Sequence, residues 1–148
     1  MKCFLTSATA VLLMLLATPA AFAEGAGIEW DILNQEVTEL TRTGKYDRGV
    51  VVAKKALEVA ETNVGPNHPD VAASLNNLAL LYQRKGDYAQ AEPLYKHALA
   101  IKEEVLGPDH PSLATNLDNL AALYRATERE EEAEVLEQRA TRIREMQR

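Results

Sequence analysis

The sequence contains little that could support disulfide chemistry or nucleic-acid binding. Its only cysteine is Cys3, so the rest of the chain can form no internal disulfide. Aromatic residues make up 5% of the 148 residues, whereas alanine and leucine are frequent, a bias that favours helix. The formal net charge is -6, and no basic stripe of the kind that phosphate backbones attract is present. We therefore expect an all-α protein without a nucleic-acid partner.

The first 23 residues have the pattern of a secretion signal. A single lysine precedes an apolar run from residue 4 to 17, and the small-x-small triplet Ala21-Phe22-Ala23 follows it. We expect cleavage after Ala23 and export of residues 24–148 to the periplasm or the exterior, with no membrane span in the mature form. The alternative is an uncleaved membrane anchor, because the uncharged stretch approaches the roughly 20 residues that span a bilayer.

The string GPNHP at residues 65–69 returns as GPDHP at residues 107–111. At the same offset of 42 residues, further apolar positions coincide, for example Leu75 with Leu117, and a weaker third copy precedes the first string. Self-similarity with a period of this length is the signature of stacked repeats. The sequence therefore predicts three units, at about residues 28–64, 65–106 and 107–148.

Each unit is predicted to be a pair of antiparallel helices. In the middle unit, Val71, Leu75, Leu78 and other apolar residues recur at spacings of three and four, as on one face of a helix. Gly86 ends this helix, and a second apolar face begins at Tyr88. The short turn requires a hairpin. Small residues allow the two helices to approach closely and tyrosines fill the space between units, namely Ala79, Ala91, Ala98, Tyr82, Tyr88 and Tyr95.

The doubled Gly-Pro-x-His-Pro string is predicted to be the joint between hairpins. We expect Gly65 and Gly107 to end the preceding helices in a left-handed conformation, while the prolines that follow prevent continuation. The second proline of each string suits a first helical turn. We expect the residue after it, Asp70 or Ser112, to cap that turn with its side chain.

The middle unit resembles the tetratricopeptide repeat, and the string GPxHPxxAxxLxNLAxLY with its 42-residue period resembles the longer repeat of kinesin light chain. The matching residues are Leu75, Leu78, Ala79, Tyr82, Gly86, Tyr88, Ala91, Tyr95 and Ala98. This resemblance implies a right-handed α-solenoid of three helix-turn-helix repeats. The outer units depart from the pattern at Glu36, Gly49, Glu128, Glu130 and Glu137, which we interpret as caps because terminal repeats face water.

The same resemblance implies a concave groove, lined by the first helix of each pair, that takes a peptide or a partner's helix. Asn77 and Asn119 are the strongest candidates, since an amide can both donate to and accept from an extended peptide. The alternative is that each amide bonds to the neighbouring repeat. Arg84 and Arg125 would select an acidic partner. The full set of predicted groove residues is Asn34, Asn76, Asn77, Leu80, Gln83, Arg84, Asp118, Asn119 and Arg125.

No motif indicates catalysis, a metal or a cofactor. The three histidines, His68, His97 and His110, form no zinc-binding pattern, and no nucleophile motif or phosphate loop is present. The sequence therefore favours an exported, non-catalytic protein-interaction module. Two alternatives stay open: a scaffold that self-associates, forming a homo-oligomer through its end faces, and an accessory subunit of an envelope enzyme complex.

Overall fold

The computed structural model describes the backbone of residues 19–148 and the side chains from residue 27 onward. Most of the predicted signal peptide therefore lies outside the described residues. The described part consists of α-helices without strands, and none of these helices combines the length and the apolar character that a membrane span requires. The six helices are α1 (Pro19–Arg42), α2 (Tyr46–Val64), α3 (Pro69–Lys85), α4 (Tyr88–Leu106), α5 (Leu113–Ala126) and α6 (Glu130–Glu145).

The helices form three stacked hairpins, α1–α2, α3–α4 and α5–α6, each packed mainly on its neighbours in sequence. The predicted all-α solenoid is thus confirmed. The middle hairpin turns at Gly86, whose φ of 84° and ψ of 6° are left-handed. Gly44 has the same sign of φ in the first hairpin, and Glu128 takes this position in the third, with φ 61°. Such a backbone is easy for glycine and uncommon for glutamate.

The joints between hairpins need glycine for a different reason from the one expected. Gly65 and Gly107 have φ of 86° and 92° with ψ of 163° and 159°. This is an extended backbone with positive φ, a region essentially confined to glycine, and not the left-handed helical conformation that the sequence suggested. Each glycine N–H still bonds to the carbonyl four residues back, at Glu61 and Glu103. The glycine requirement therefore stands, in another conformation.

The histidine of each joint accepts a backbone N–H at the start of the next hairpin. His68 is the N-cap of α3, whereas α5 begins at Leu113 without a side-chain cap. His68 Nδ1 accepts the backbone N–H of Asp70 at 3.2 Å, and His110 Nδ1 accepts that of Ser112 at 3.2 Å. The expectation that Asp70 and Ser112 provide the caps is therefore wrong. In both joints the ring nitrogen thus accepts the N–H two residues further on, so the recurrence of histidine in the string has a physical cause.

The predicted packing residues lie in the core. Ala79, Ala91 and Ala98 are fully buried, as is Tyr95, whereas Tyr82 and Tyr88 are half-buried. Gly49 is also buried, and a Cβ there would lie 2.7 Å from Leu81 Cδ2. Interpreting Gly49 as a water-facing cap was therefore wrong, because its missing side chain makes room for a leucine of the next repeat. Glu36 is exposed, as a cap should be.

The two junctions between repeats use different polar contacts at equivalent positions. At the first, Trp30 Nε1 of α1 donates to the buried Ser74 Oγ at 2.8 Å. At the second, Lys102 Nζ of α4 donates to the buried Asn116 Oδ1 at 2.8 Å, and burial lowers the pKa of this lysine. The donor comes from the first helix of its hairpin at the first junction, as Trp30, and from the second helix of its hairpin at the second junction, as Lys102. The repeats are consequently not interchangeable.

Candidate functional site

The first helices of the hairpins provide the surface on which the predicted groove residues lie. Between α1 and α3 there is a cavity of about 330 Å³. It brings together two predicted residues, Asn77 and Leu80, with four residues of α1. Those four are Val37, Thr38, Thr41 and Arg42.

Asparagine side chains connect successive first helices. Asn77 Nδ2 donates to Asn34 Oδ1 at 3.1 Å, and Asn119 Nδ2 donates to Asn76 Oδ1 at 3.2 Å. The same contact thus recurs at both junctions, one repeat apart. We call these two pairs the amide ladder. The structure therefore shows the contact that the alternative interpretation expected, an amide bonded to the neighbouring repeat.

The ladder leaves acceptors available on the same surface. Asn34 Nδ2 donates to the Trp30 carbonyl at 2.9 Å, so the Asn34 oxygen must face Asn77, and Asn77 must use its nitrogen as the donor. Within the described residues nothing donates to Asn77 Oδ1, and the same is true of Asn119 Oδ1. Both side chains are half-buried. Each therefore has a carbonyl oxygen with a fixed orientation and spare capacity to accept.

Three of the predicted residues are already engaged within the chain. Gln83 Oε1 accepts the hydroxyl of Tyr95 at 2.8 Å, and burial raises the pKa of that tyrosine well above its usual range. Arg125 pairs with Glu137, which raises the pKa of the guanidinium. Asp118 pairs with Arg144. Each contact lies within one hairpin and occupies the polar group that a ligand would use.

Leu80 and Arg84 are more accessible. Leu80 is half-buried beside the cavity, and Arg84 is exposed near the end of α3, with no ion pair inside the described part of the chain. The sequence interpretation missed Thr38 and Arg42. Both were detectable, because they stand 42 residues before Leu80 and Arg84. The first unit diverges so far from the pattern that only the repeat register identifies these positions.

The described residues include no group of three or more histidine, cysteine, aspartate or glutamate side chains that could hold a metal ion. Arg42, at the cavity wall, donates to Glu39 through two hydrogen bonds of 2.7 and 3.0 Å. The pKa of Glu39 is lowered by this contact. The chemistry that the surface supplies is therefore hydrogen bonding, apolar contact and positive charge.

Several solved structures share this architecture. BtubC (BKLC) from P. vanneervenii has a TM-score of 0.73 and 30% sequence identity, over 80% of this chain and 47% of that one. A Podosopora anserina protein with nearly identical TPR-like repeats of the kinesin light chain type has a TM-score of 0.70 and 24% identity, over 76% and 54%. The TPR domain of Arabidopsis FLU has a TM-score of 0.71 and 18% identity, over 82% and 98%.

The chain spans about half the length of the first two of these structures. No curated protein sequence matches it. Residues 40–104 and 70–146 each match the tetratricopeptide repeat, so the matches together cover most of the three hairpins described above. With two matching segments, a stack of hairpins and a relative of 30% identity, the chain belongs to the tetratricopeptide repeat family.

Proposed function

We propose that this protein is a non-catalytic interaction module that binds an extended segment of a partner protein across α1, α3 and α5. Tetratricopeptide repeat proteins are generally interaction scaffolds, and this chain has their fold. The observation that carries the proposal is the amide ladder, which leaves the oxygens of Asn77 and Asn119 as oriented acceptors. They lie one repeat apart on one surface.

The side chains around these acceptors suggest what the segment carries. An extended peptide presents backbone N–H groups, which the two amide oxygens can accept. The Leu80 side chain offers apolar contact at the cavity, which supplies affinity. Arg84 is the accessible cation, since Arg125 is bound by Glu137. We therefore propose that an acidic residue of the segment pairs with Arg84.

Peptides selected from a random library on the purified protein would test this proposal. Their affinity should fall with Arg84→Glu and stay unchanged with Lys54→Glu. Lys54 is an exposed cation on α2, so both variants change the net charge equally. If Lys54→Glu weakens binding as much, the attraction is long-range and not local to Arg84. If neither variant changes binding, the proposed pairing of an acidic residue with Arg84 is wrong.

We further propose that the protein is exported and that its signal is removed after Ala23. The support is the sequence pattern of the first 23 residues. The measurement is the mass and the N-terminal sequence of the protein recovered from its natural cells. A chain that begins at Glu24 agrees with the proposal. A chain that retains residue 1 and sediments with membranes agrees with the anchor instead.

A further inference from the structure

The outer face of α1 is the place where the fold would stack a preceding hairpin, and it is only partly polar. Ile32 corresponds to Ser74 and Asn116 in the other units, one and two repeats later. Those two residues are 1% and 2% exposed because the preceding hairpin covers them, whereas Ile32 is 58% exposed. Ile28, one helical turn before it, is 60% exposed. Two large apolar side chains are thus exposed on the face of α1 where a preceding hairpin would pack.

Acidic residues surround this apolar pair. Glu29, Glu36 and Glu39 are exposed. The second and third units have buried apolar residues at the equivalent positions. These are Val71 and Leu113 for Glu29, Leu78 and Leu120 for Glu36, and Leu81 and Leu123 for Glu39. Arg48 and Arg42 lie beside Glu36 and Glu39, but these ion pairs are exposed and weak. We call the surface formed by Ile28, Glu29, Ile32, Glu36 and Glu39 the N-terminal face.

We propose that the N-terminal face docks a basic amphipathic helix of a partner protein, in the place that the second helix of a preceding hairpin would occupy. The chain itself shows this geometry twice, since α2 covers α3 and α4 covers α5. Apolar contact with Ile28 and Ile32 requires an apolar stripe on the incoming helix. The glutamates around the pair require lysine or arginine beside that stripe. This surface borders the groove, because Arg42 at the cavity wall pairs with Glu39.

A second copy of this chain fits poorly as the occupant. Head-to-tail stacking would place the α5–α6 hairpin of one copy against α1 of the next. Glu137 would then lie at the position that Tyr95 has at the internal junction. Tyr95 belongs to the cluster that contains Leu120 and Leu123, and their counterparts on α1 are Glu36 and Glu39. Stacked copies would therefore bring carboxylates together where the internal junction has apolar contact. Like charges brought together in an interface oppose association.

The geometry of the second junction supplies a probe. A synthetic peptide with the sequence of α4, Tyr88–Leu106, carries Tyr95→Lys and Lys102→Leu. By analogy with the α4–α5 junction, the new lysine would face Glu36 and Glu39, and the new leucine would face Ile32. The unmodified peptide is the control. Fluorescence anisotropy of the labelled peptides on the purified full chain measures affinity, and amide shifts in nuclear magnetic resonance spectra locate the contact.

The modified peptide should bind at least about tenfold more tightly than the control, a difference of about 1.4 kcal/mol. Its amide shifts should fall on α1. Ile32→Glu should remove most of this binding. Val51→Glu should not, because Val51 is also an exposed apolar residue, at 69%, but lies on α2 outside the N-terminal face.

Several outcomes would overturn the proposal. Equal affinities of the two peptides would show that these two changes do not contribute to binding at the N-terminal face. Shifts on α3 and α5, the helices that pack on α4, would show exchange with the native α4. Absence of binding of the modified peptide would show that the face does not accept a basic amphipathic helix.

Discussion

Arg125 donates two hydrogen bonds of 2.8 Å to Glu137, at the positions where Gln83 and Tyr95 are joined one repeat earlier. The inner pair is a phenol and an amide at a junction where Tyr95 is fully buried. The outer pair is an ion pair on the exposed end of the third hairpin. The same contact between helices is thus kept, while its chemistry changes from one suited to a covered surface to one suited to water.

Replacing Glu137 by the residue of the inner pair should cause the exposed end of the third hairpin to self-associate. Glu137→Tyr with Thr141→Leu gives α6 the residues that α4 has at Tyr95 and Leu99. We expect sedimentation to show a concentration-dependent dimer, because apolar side chains would then be exposed at a stacking surface. The control is Glu58→Tyr with Thr62→Leu, the same changes at the same spacing on the exposed side of α2. Equal association of both variants would mean that the position has no special role.

The end faces show how far the sequence alone predicts this fold. The 42-residue period was sufficient for three helical hairpins, because the apolar spacing and the glycine positions repeat. The role of His68 and His110 was not predictable from spacing, because capping depends on where a ring nitrogen lies relative to one N–H group. The contact between Gly49 and Leu81 was missed for a similar reason, since only three-dimensional packing reveals a space that a methyl group would fill.

The groove residues illustrate a different limit. Asn77 and Asn119 were identified because they repeat at one position, and the structure joins each to an asparagine of the preceding repeat. The sequence could not separate a binding role from a stacking role, since one amide can serve both. Arg84 and Arg125 looked alike as charges, yet only Arg125 has Glu130 and Glu137 beside it.

The amide ladder should contribute to stability. A double-mutant cycle with Asn34→Ala and Asn77→Ala isolates the hydrogen bond between these side chains, because the loss of the Asn34 bond to Trp30 cancels in the cycle. We expect a coupling of about 0.5 to 1.5 kcal/mol in urea unfolding. The equivalent cycle at Asn76 and Asn119 should give a similar value. A coupling of zero at both would show that water replaces the bond without loss.

The close approach of helices at alanine can be tested with adjacent residues. Ala121 is fully buried in the cluster around Tyr95, and Ala122 next to it is exposed. Ala121→Leu should destabilise the protein by about 1 to 3 kcal/mol, because the extra atoms have no space. Ala122→Leu should change stability by less than about 0.5 kcal/mol. Thermal unfolding of the two variants checks this, and similar melting temperatures would contradict the packing.

The left-handed residue at the third hairpin turn should be a site where stability can be gained. Glu128 has φ 61°, at the position that Gly44 and Gly86 occupy in the other two units. A side chain in this conformation costs about 1 kcal/mol or more, and glycine avoids that strain. Part of the gain is lost because glycine makes the unfolded chain more flexible, so we expect Glu128→Gly to stabilise the protein by about 0.5 kcal/mol. Chemical unfolding measures this difference.

The matched control for this gain is Glu131→Gly, in the first turn of α6. There the backbone is helical, so glycine relieves no strain and should destabilise the protein by about 1 kcal/mol. Opposite signs for the two substitutions would show that backbone conformation, and not the removal of a negative charge, decides the outcome. If both substitutions stabilise the protein, relief of repulsion among the glutamates at the start of α6 is a larger effect than relief of backbone strain. If both are destabilised, the Glu128 side chain makes contacts that exceed its strain.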